Sequence, residues 1–269
     1  MEKIEFRKVR DFGDLLNATF DFIRKNFKKL FLSLLFIAGP GIFITGIAAG
    51  FYQSNIFSLG RNIVNFIPSA LIYYFFIFIT FQLILAVTYS YINLYLEREP
   101  DAFDVNEVWE SVKKNFFMIL LTSIGTFIIL VFAFVLLIIP AIYLGIVFTL
   151  IYMVRIQEKR SFFESISRCR YLITGNWWFT FALILIFTVI QYFFTFLFYI
   201  PQYIAMFIGM LHMRNGQMSF NSTLMIITSM IASVSYFFYV IVLIGISFHY
   251  FSLVEKKEAT GLMEKLETL

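Results

Sequence analysis

Charged residues are scarce in this sequence: only 14% of its 269 residues are Asp, Glu, Lys or Arg. Soluble domains carry about 25%, and the mean hydropathy here is +0.83. With a net charge of only +4, this deficit excludes a water-soluble globular protein, a disordered chain and a nucleic-acid-binding protein. The single cysteine excludes a disulfide framework and a thiolate metal cluster, and two histidines are too few for a multi-histidine iron site. We therefore expect no metal and no cofactor.

Long uncharged runs take the place of the missing charges. A helix of about 20 apolar residues crosses a membrane, and the run from Asn115 to Val154 has room for two such helices. We predict an all-α integral membrane protein with six transmembrane helices, and Pro140 at the turn between the third and the fourth. The predicted spans are residues 30–51, 69–96, 116–138, 141–157, 178–200 and 222–254.

The charges fall almost entirely on one side of these spans. Nineteen of the 21 Lys and Arg, and all 17 Asp and Glu, lie on the side of the two termini, whereas Arg61 and Arg214 lie on the other. The positive-inside rule then places the N-terminus and the C-terminus in the cytoplasm. The residues before the first span are too many and too acidic for a cleavable signal peptide, so we expect this span to remain as an anchor.

A short amphipathic segment precedes each odd-numbered span. Apolar residues recur there at helical spacing, and the segments end at Asn26, Asn115 and Asn176, each followed by an aromatic residue. We predict three transmembrane hairpins, each preceded by a cytoplasmic interfacial amphipathic helix. The ordinary interface chemistry of membrane helices would place the same residues there without true repetition. The predicted units of this single membrane domain, residues 1–269, are 1–96, 97–157 and 158–254, followed by a cytoplasmic tail at 255–269.

The third unit carries a more specific pattern. Residues 139–144 read Ile-Pro-Ala-Ile-Tyr-Leu, and residues 164–178 end in Thr-Gly-Asn followed by Trp177 and Trp178. This pattern resembles the bacterial membrane-domain family found fused to glycerophosphodiester phosphodiesterases and its stand-alone relatives, with Ala141 where that family usually has Gly. The resemblance implies a helical protein of the bacterial cytoplasmic (inner) membrane with no assigned biochemical role. It does not imply the phosphodiesterase activity, which belongs to a separate soluble barrel domain.

Three sets of residues are candidates for contacts. Basic and tryptophan residues near the predicted interface are candidates for lipid contact, although simple anchoring would explain the basic ones equally well: Arg24, Lys25, Lys28, Lys29, Trp109, Trp177 and Trp178. Two glycines in a GxxxG motif and one proline are candidates for helix packing: Gly46, Gly50 and Pro140. The densest acidic run is a candidate for docking a partner, with a solvated surface as the alternative: Glu97, Glu99, Asp101, Asp104, Glu107 and Glu110.

The sequence contains few signs of chemistry. No charged residue lies in the interior of a predicted span, which argues against an ion-coupled pump, and no phosphate loop, zinc motif or hydrolase motif occurs. We predict no catalytic, cofactor-binding or metal-binding residue. The preferred function is a non-enzymatic membrane scaffold or accessory subunit that organises partner proteins or lipids, and the alternative is a transporter or lipid-translocating protein. The expected partners are membrane lipids and other membrane or cytoplasmic proteins but not nucleic acid, and homo-oligomerisation stays open.

Overall fold

The computed structural model describes residues 3–57, 63–99, 102–211 and 221–259. Within these residues the fold is all-helical and contains no strand. A 3-10 turn at Val234–Phe238 precedes the last helix. The α-helices are α1 Phe12–Ile37, α2 Gly39–Phe57, α3 Ile63–Glu97, α4 Val105–Leu136, α5 Ile138–Phe148, α6 Ile151–Gln157, α7 Phe162–Ile173, α8 Trp177–Leu211, α9 Ser222–Ser233 and α10 Tyr239–Glu258.

Five helical stretches of the described chain are long and apolar enough to cross a membrane. A sixth is present if α1 and α2, which are bent by 55° relative to each other, count as one span. The bend falls at Ala38, directly before Gly39-Pro40-Gly41, where a proline without an N–H and two flexible glycines weaken the helical ladder. The five stretches are Val64–Glu97, Val105–Leu136, Ile138–Gln157, Trp177–Leu211 and Ser222–Glu258.

The chain forms two compact units, each built from separated stretches. Unit 1 consists of Met1–Ser33, Leu85–Val189 and Val240–Leu269, and unit 2 consists of Leu34–Ile84 and Ile190–Tyr239. All 17 Asp and Glu and 19 of the 21 Lys and Arg belong to unit 1. The two exceptions, Arg61 and Arg214, lie outside the described residues. The three consecutive units expected from the repeat stay a prediction.

The three segments expected as separate interfacial helices behave differently from one another. Helix α1 runs through Asn26 and helix α4 runs through Asn115 without a break. The Asn26 side chain stays inside the helix by donating to the Phe22 carbonyl oxygen at 2.9 Å. Only the third segment forms a helix of its own, α7, and Gly175 follows it with φ +83°. A left-handed backbone suits glycine and ends a helix, and neither Asn26 nor Asn115 has such a neighbour.

Prolines take positions that the sequence pattern did not predict. The turn between α4 and α5 falls at Leu137, and Pro140 lies in the first turn of α5. Proline is tolerated there because the first N–H groups of a helix have no helical partner. Helix α8 continues through Pro201 to Leu211, past the predicted end at residue 200. Apolar membrane-type helices accept an internal proline when local adjustments satisfy the freed carbonyl.

The core of unit 1 contains an aromatic cluster around Phe6, which precedes the first helix. The Phe6 side chain is only 2% exposed. Its ring stacks on Phe248 with 4.1 Å between centroids and meets Phe22 and Phe251 edge-on at 5.5 and 5.4 Å. The backbone N–H of Arg10 also donates to the Ser252 hydroxyl at 3.0 Å. These contacts hold the N-terminal segment against α1 and α10.

In unit 2, helix α2 packs closely along α9. A Cβ atom on Gly46 would lie 2.8 Å from the Met230 Cα, and one on Gly50 would lie 2.9 Å from the Ile226 backbone nitrogen. Real Cβ atoms essentially never approach backbone this closely. Both glycines of the GxxxG motif therefore lie where the two helices approach most tightly, as in small-residue helix contacts generally.

Replacing Gly50 with alanine is expected to destabilise the protein by about 1–3 kcal/mol. The new Cβ forces α2 away from α9, and this cost outweighs the gain of about 1 kcal/mol that alanine has over glycine in helix propensity. Gly145 in α5 is the matched control, because a Cβ there would meet no atom within 4 Å. Thermal unfolding in a mild detergent measures both variants. Equal shifts in Tm for Gly50→Ala and Gly145→Ala would contradict the close contact.

Candidate functional site

Unit 1 contains a charged cavity lined by described residues. Its volume is about 860 Å³. Three stretches line it: residues 93–98 at the end of α3, residues 107–118 of α4, and residues 155–160 at and beyond the end of α6. Five basic and three acidic residues contribute to the lining, so its formal charge is positive. A cavity of this size and polarity can hold a small anionic group.

Helix α4 forms one wall because its polar residues recur at helical spacing. Glu107, Ser111 and Lys114 line the cavity, whereas Val108 and Val112 are buried on another face. The helix begins with a capping box, in which the N–H of Glu107 donates to Asp104 Oδ1 and the N–H of Asp104 donates to Glu107 Oε2, both at 3.0 Å. The spacing of these two residues is that of a capping box, which marks the start of a helix.

The carboxylates of the cavity are engaged by neighbouring residues. Glu107 forms an ion pair with Arg98 in addition to its role in the capping box. Glu110 pairs with Lys113 at 2.6 Å, and Glu97 accepts a hydrogen bond from Asn93 Nδ2 at 2.8 Å. These contacts neutralise or occupy the acidic groups, so the remaining bases dominate the electrostatic character of the recess.

Arg155 lies at the point where the cavity meets the apolar part of the helices. Its Nη1 donates to the Thr122 hydroxyl at 2.7 Å, and its guanidinium lies 5.9 Å from the centre of the Phe162 ring. Its Nε is buried and finds no acceptor among the described residues. No carboxylate of the described chain forms an ion pair with Arg155, Lys114 or Lys159. The recess therefore holds three cations that the described protein does not neutralise.

A second charged cluster joins three helices of unit 1. Arg168 of α7 binds Glu158 at the end of α6, with Nε 2.8 Å from Oε1, and forms two contacts to Glu258 at the end of α10, one of them at 2.8 Å. Arg160 and the Tyr250 hydroxyl add contacts to Glu158 at 2.6 and 2.9 Å. The hydrogen bonds to Glu258, followed by the contacts to Glu158, raise the pKa of Arg168 above its ordinary value. This cluster fixes α7 in place.

Helix α7 is itself well defined at its start. Ser161 caps it, and the Ser161 hydroxyl and backbone N–H donate to Glu164 at 2.8 and 2.9 Å. These hydrogen bonds from Ser161 lower the pKa of the Glu164 carboxyl. Cys169 on the same helix is fully buried, and this burial raises the pKa of its thiol to about 12. The thiol therefore stays protonated at neutral pH and is a poor nucleophile.

The candidate lipid-contact residues occupy different environments in unit 1. Arg24 is exposed and pairs with Asp21 at 3.0 Å, and Lys25 and Lys28 are exposed on the same helix. The Lys29 ammonium lies 4.6 Å from the centre of the Phe103 ring.

The tryptophans are partly or largely exposed. Trp109 and Trp178 have large exposed areas, whereas Trp177 stacks on Tyr143 and Phe181 with centroid distances of 6.2 and 5.6 Å. Exposed indole and basic groups near the ends of apolar helices are the usual membrane-interface anchors.

Most of the candidate docking residues make structural contacts. Asp104 and Glu107 hold the start of α4, and Glu110 pairs with Lys113. Glu99 is exposed, and Asp101 lies outside the described residues. The candidate helix-packing residues Gly46 and Gly50 lie against α9, whereas Pro140 is half-buried in the first turn of α5.

The described histidine, His249, belongs to no cluster arranged to bind a metal ion. His249 is buried and hydrogen-bonds to the Thr180 hydroxyl at 2.9 Å, and His212 lies outside the described residues. In the part of the chain that the structure describes, no group of three or more His, Cys, Asp or Glu side chains is arranged to bind a metal ion.

Unit 2 has an apolar groove of about 800 Å³ between the start of α2 and helix α9. Phe36, Phe43, Ile227 and Met230 are among its lining residues. A groove of this kind is what the lipid-translocating alternative requires, but apolar recesses are also ordinary on helices that face acyl chains.

Sequence reasoning missed the cavity and the Arg168 cluster. Arg155 follows directly on an uncharged run of 40 residues, from Asn115 to Val154, which is an unusual position for an arginine. That position was the available signal for a functional cation. Its hydrogen-bond partner, Thr122, lies 33 residues away in an apolar helix and has no distinguishing pattern.

No protein-family model, curated protein or solved structure matches this chain.

Proposed function

We propose that this chain is a non-enzymatic scaffold or accessory subunit of the bacterial cytoplasmic membrane, and that the charged face of unit 1 is its working surface. One observation carries the proposal: the acidic and nearly all basic residues belong to unit 1, where several of the described ones form ion pairs among charges of both signs. Mixed charge suits the specific docking of another protein better than bulk attraction to an anionic membrane.

The proposed topology has six spans arranged as three hairpins, with both termini in the cytoplasm. The distribution of bases supports this orientation, since 19 of 21 lie on the side of the termini. The bent pair α1 and α2 serves as the first span in this proposal. The segment at α7, which is a separate helix with exposed Phe163 and Tyr171, suits a position along the membrane interface. The resemblance to the phosphodiesterase-associated membrane-domain family stays a prediction.

Lysine-directed cross-linking in intact cells tests sidedness and docking together. A membrane-permeant reagent is expected to link Lys113, Lys114 or Lys159 to a partner protein, and an impermeant reagent of the same reach is expected not to. The double variant Glu99→Arg/Glu110→Arg should reduce these cross-links at least about fivefold, because reversed charges at a docking surface repel the partner. Glu110 forms only an exposed ion pair, which contributes little to folding.

Asp21→Arg is the matched control, because Asp21 also forms an exposed ion pair with a residue three positions further along its helix, Arg24. This variant should leave the cross-links unchanged. Reaction of Lys113 with the impermeant reagent would contradict the topology. Equal cross-linking by wild type and the double variant would contradict docking at this face.

A further inference from the structure

Arg155 carries a charge that its surroundings do not balance. It lies near the end of a stretch apolar enough to cross a membrane, Ile138–Gln157, and its bonding partner Thr122 belongs to another, Val105–Leu136. A buried or half-buried cation is costly unless an anion or several hydrogen bonds compensate for its lost hydration. Within the described residues Arg155 has one hydroxyl acceptor and one aromatic face, and its Nε remains without an acceptor. A guanidinium in this state is an incomplete anion site.

The cavity next to Arg155 has the charge and the space for that anion. Lys114 of α4 and Lys159 beyond α6 line the same recess, and its three carboxylates are held by Arg98, Lys113 and Asn93. Guanidinium and ammonium groups that converge on one recess are the usual ligands of phosphate, because arginine binds two oxygens at once and lysine adds a point charge. The volume of about 860 Å³ exceeds that of a phosphate group and leaves room for the group attached to it.

The position of the recess favours a lipid as the source of the phosphate. Met118 and Thr122 of α4 lie one and two helical turns beyond Lys114 in an apolar helix. Arg155 reaches the apolar part of α4, because it donates a hydrogen bond to Thr122, whereas Lys114 and Lys159 are exposed. When such helices cross a bilayer, the change from apolar to charged residues marks the level of the headgroups.

We infer that the cavity lined by Arg155, Lys114 and Lys159 binds the phosphate of an anionic lipid headgroup, with Arg155 as the principal ligand. The inference goes beyond the proposed scaffold function and does not depend on any protein partner. The same chemistry would bind a soluble phosphate, so the test includes both sources.

The test uses the full-length protein, purified in detergent and stripped of lipid, and native mass spectrometry. One arm titrates dioleoyl phosphatidylglycerol, a second titrates dioleoylglycerol, which has the same chains without phosphate, and a third adds inorganic phosphate or glycerol 3-phosphate. Arg155→Gln is expected to weaken phosphatidylglycerol binding at least about tenfold, because charge-assisted hydrogen bonds to the phosphate are lost. Lys114→Gln, at an exposed position, is expected to give a smaller loss. Arg170→Gln, at an exposed arginine outside the cavity, should bind as wild type does.

The soluble arm separates the two sources of phosphate. Binding of phosphatidylglycerol that depends on Arg155, with weak binding of dioleoylglycerol, supports the lipid headgroup. Binding of soluble phosphate that depends on Arg155, without lipid binding, retains the phosphate site but overturns the lipid as its source. Equal binding by wild type and Arg155→Gln in every arm overturns the site.

The Tm of the lipid-free protein distinguishes a ligand-binding arginine from one that only stabilises the fold. Removing an unbalanced cation relieves its desolvation penalty, so Arg155→Gln should keep or raise the Tm of the stripped protein. The variant should also lose the increase in Tm that phosphatidylglycerol gives to the wild type. A fall in Tm as large as that of Arg168→Gln would show that Arg155 serves the fold, and the inference would be wrong.

Discussion

Replacing Arg168 with alanine is expected to lower the free energy of unfolding by about 3 kcal/mol or more. The Arg168 side chain is only 11% exposed, between Glu158 and Glu258, which are 16% and 29% exposed. Its removal leaves two partly buried carboxylates near each other, with Arg160 as the other cation bound to Glu158. Breaking a buried ion pair costs more than the pair contributes, because the remaining charges stay desolvated.

Thermal unfolding in a mild detergent measures this effect, and Arg170→Ala is the control. Arg170 lies on the same helix, two residues further on, and is exposed. Its replacement should change stability by no more than about 0.5 kcal/mol. Arg168→Lys should give an intermediate loss, because lysine keeps the charge but not the two-point contact with Glu258. Similar losses for Arg168→Ala and Arg170→Ala would contradict the network.

Replacing Phe6 with alanine is expected to cost about 3–5 kcal/mol, the range found for large buried aromatic residues. The ring fills a space bounded by Phe22, Phe248 and Phe251, and smaller side chains leave a cavity there. The segment before α1 has no helix of its own, and the Phe6 ring is its buried anchor, beside hydrogen bonds from the Arg10 N–H to Ser252, from the Ile4 N–H to the Tyr95 hydroxyl and from Lys3 to the Arg98 carbonyl. We therefore expect the N-terminal segment to detach along with the loss of stability.

Two measurements test whether Phe6→Ala detaches the N-terminal segment. The Tm in detergent should fall, and trypsin should cleave after Arg7 or Lys8 much faster than in the wild type. Phe117→Ala is the control, because Phe117 is also in unit 1 but is largely exposed; it should alter neither property. Phe6→Leu should recover most of the stability, since leucine refills much of the volume. Unchanged cleavage in Phe6→Ala would argue that other contacts hold the segment.

Local sequence signals mark the start of α4. Asp104 and Glu107 have the spacing of a capping box, and the structure forms both of its hydrogen bonds at the start of α4. Uncharged runs predicted long apolar helices, and five or six such helices are present in the described chain. The ends of helices were harder to predict. Leu137 ends α4 although Pro140 carries the stronger signal, and α8 runs ten residues past Pro201 to Leu211.

Local patterns indicate only some of the contacts of the candidate acidic residues. The acidic run from Glu97 to Glu110 stays a predicted docking surface, and several of its members also form capping and ion-pair contacts. Each of those contacts joins residues within nine positions. Spacing therefore allowed them, but several arrangements of such flexible side chains satisfy the same spacing.

The sequence by itself determined the helical, strongly apolar character of this chain and the concentration of its charges in a few segments. Composition and the helical period suffice for these properties, because they depend on residues no more than about four positions apart. Only the tertiary structure decided that Arg168 meets Glu258, 90 residues away, and that Arg155 meets Thr122 without a carboxylate partner in the described chain. Such pairings depend on how helices distant in sequence pack against each other, and the same charges packed differently would have left no open site.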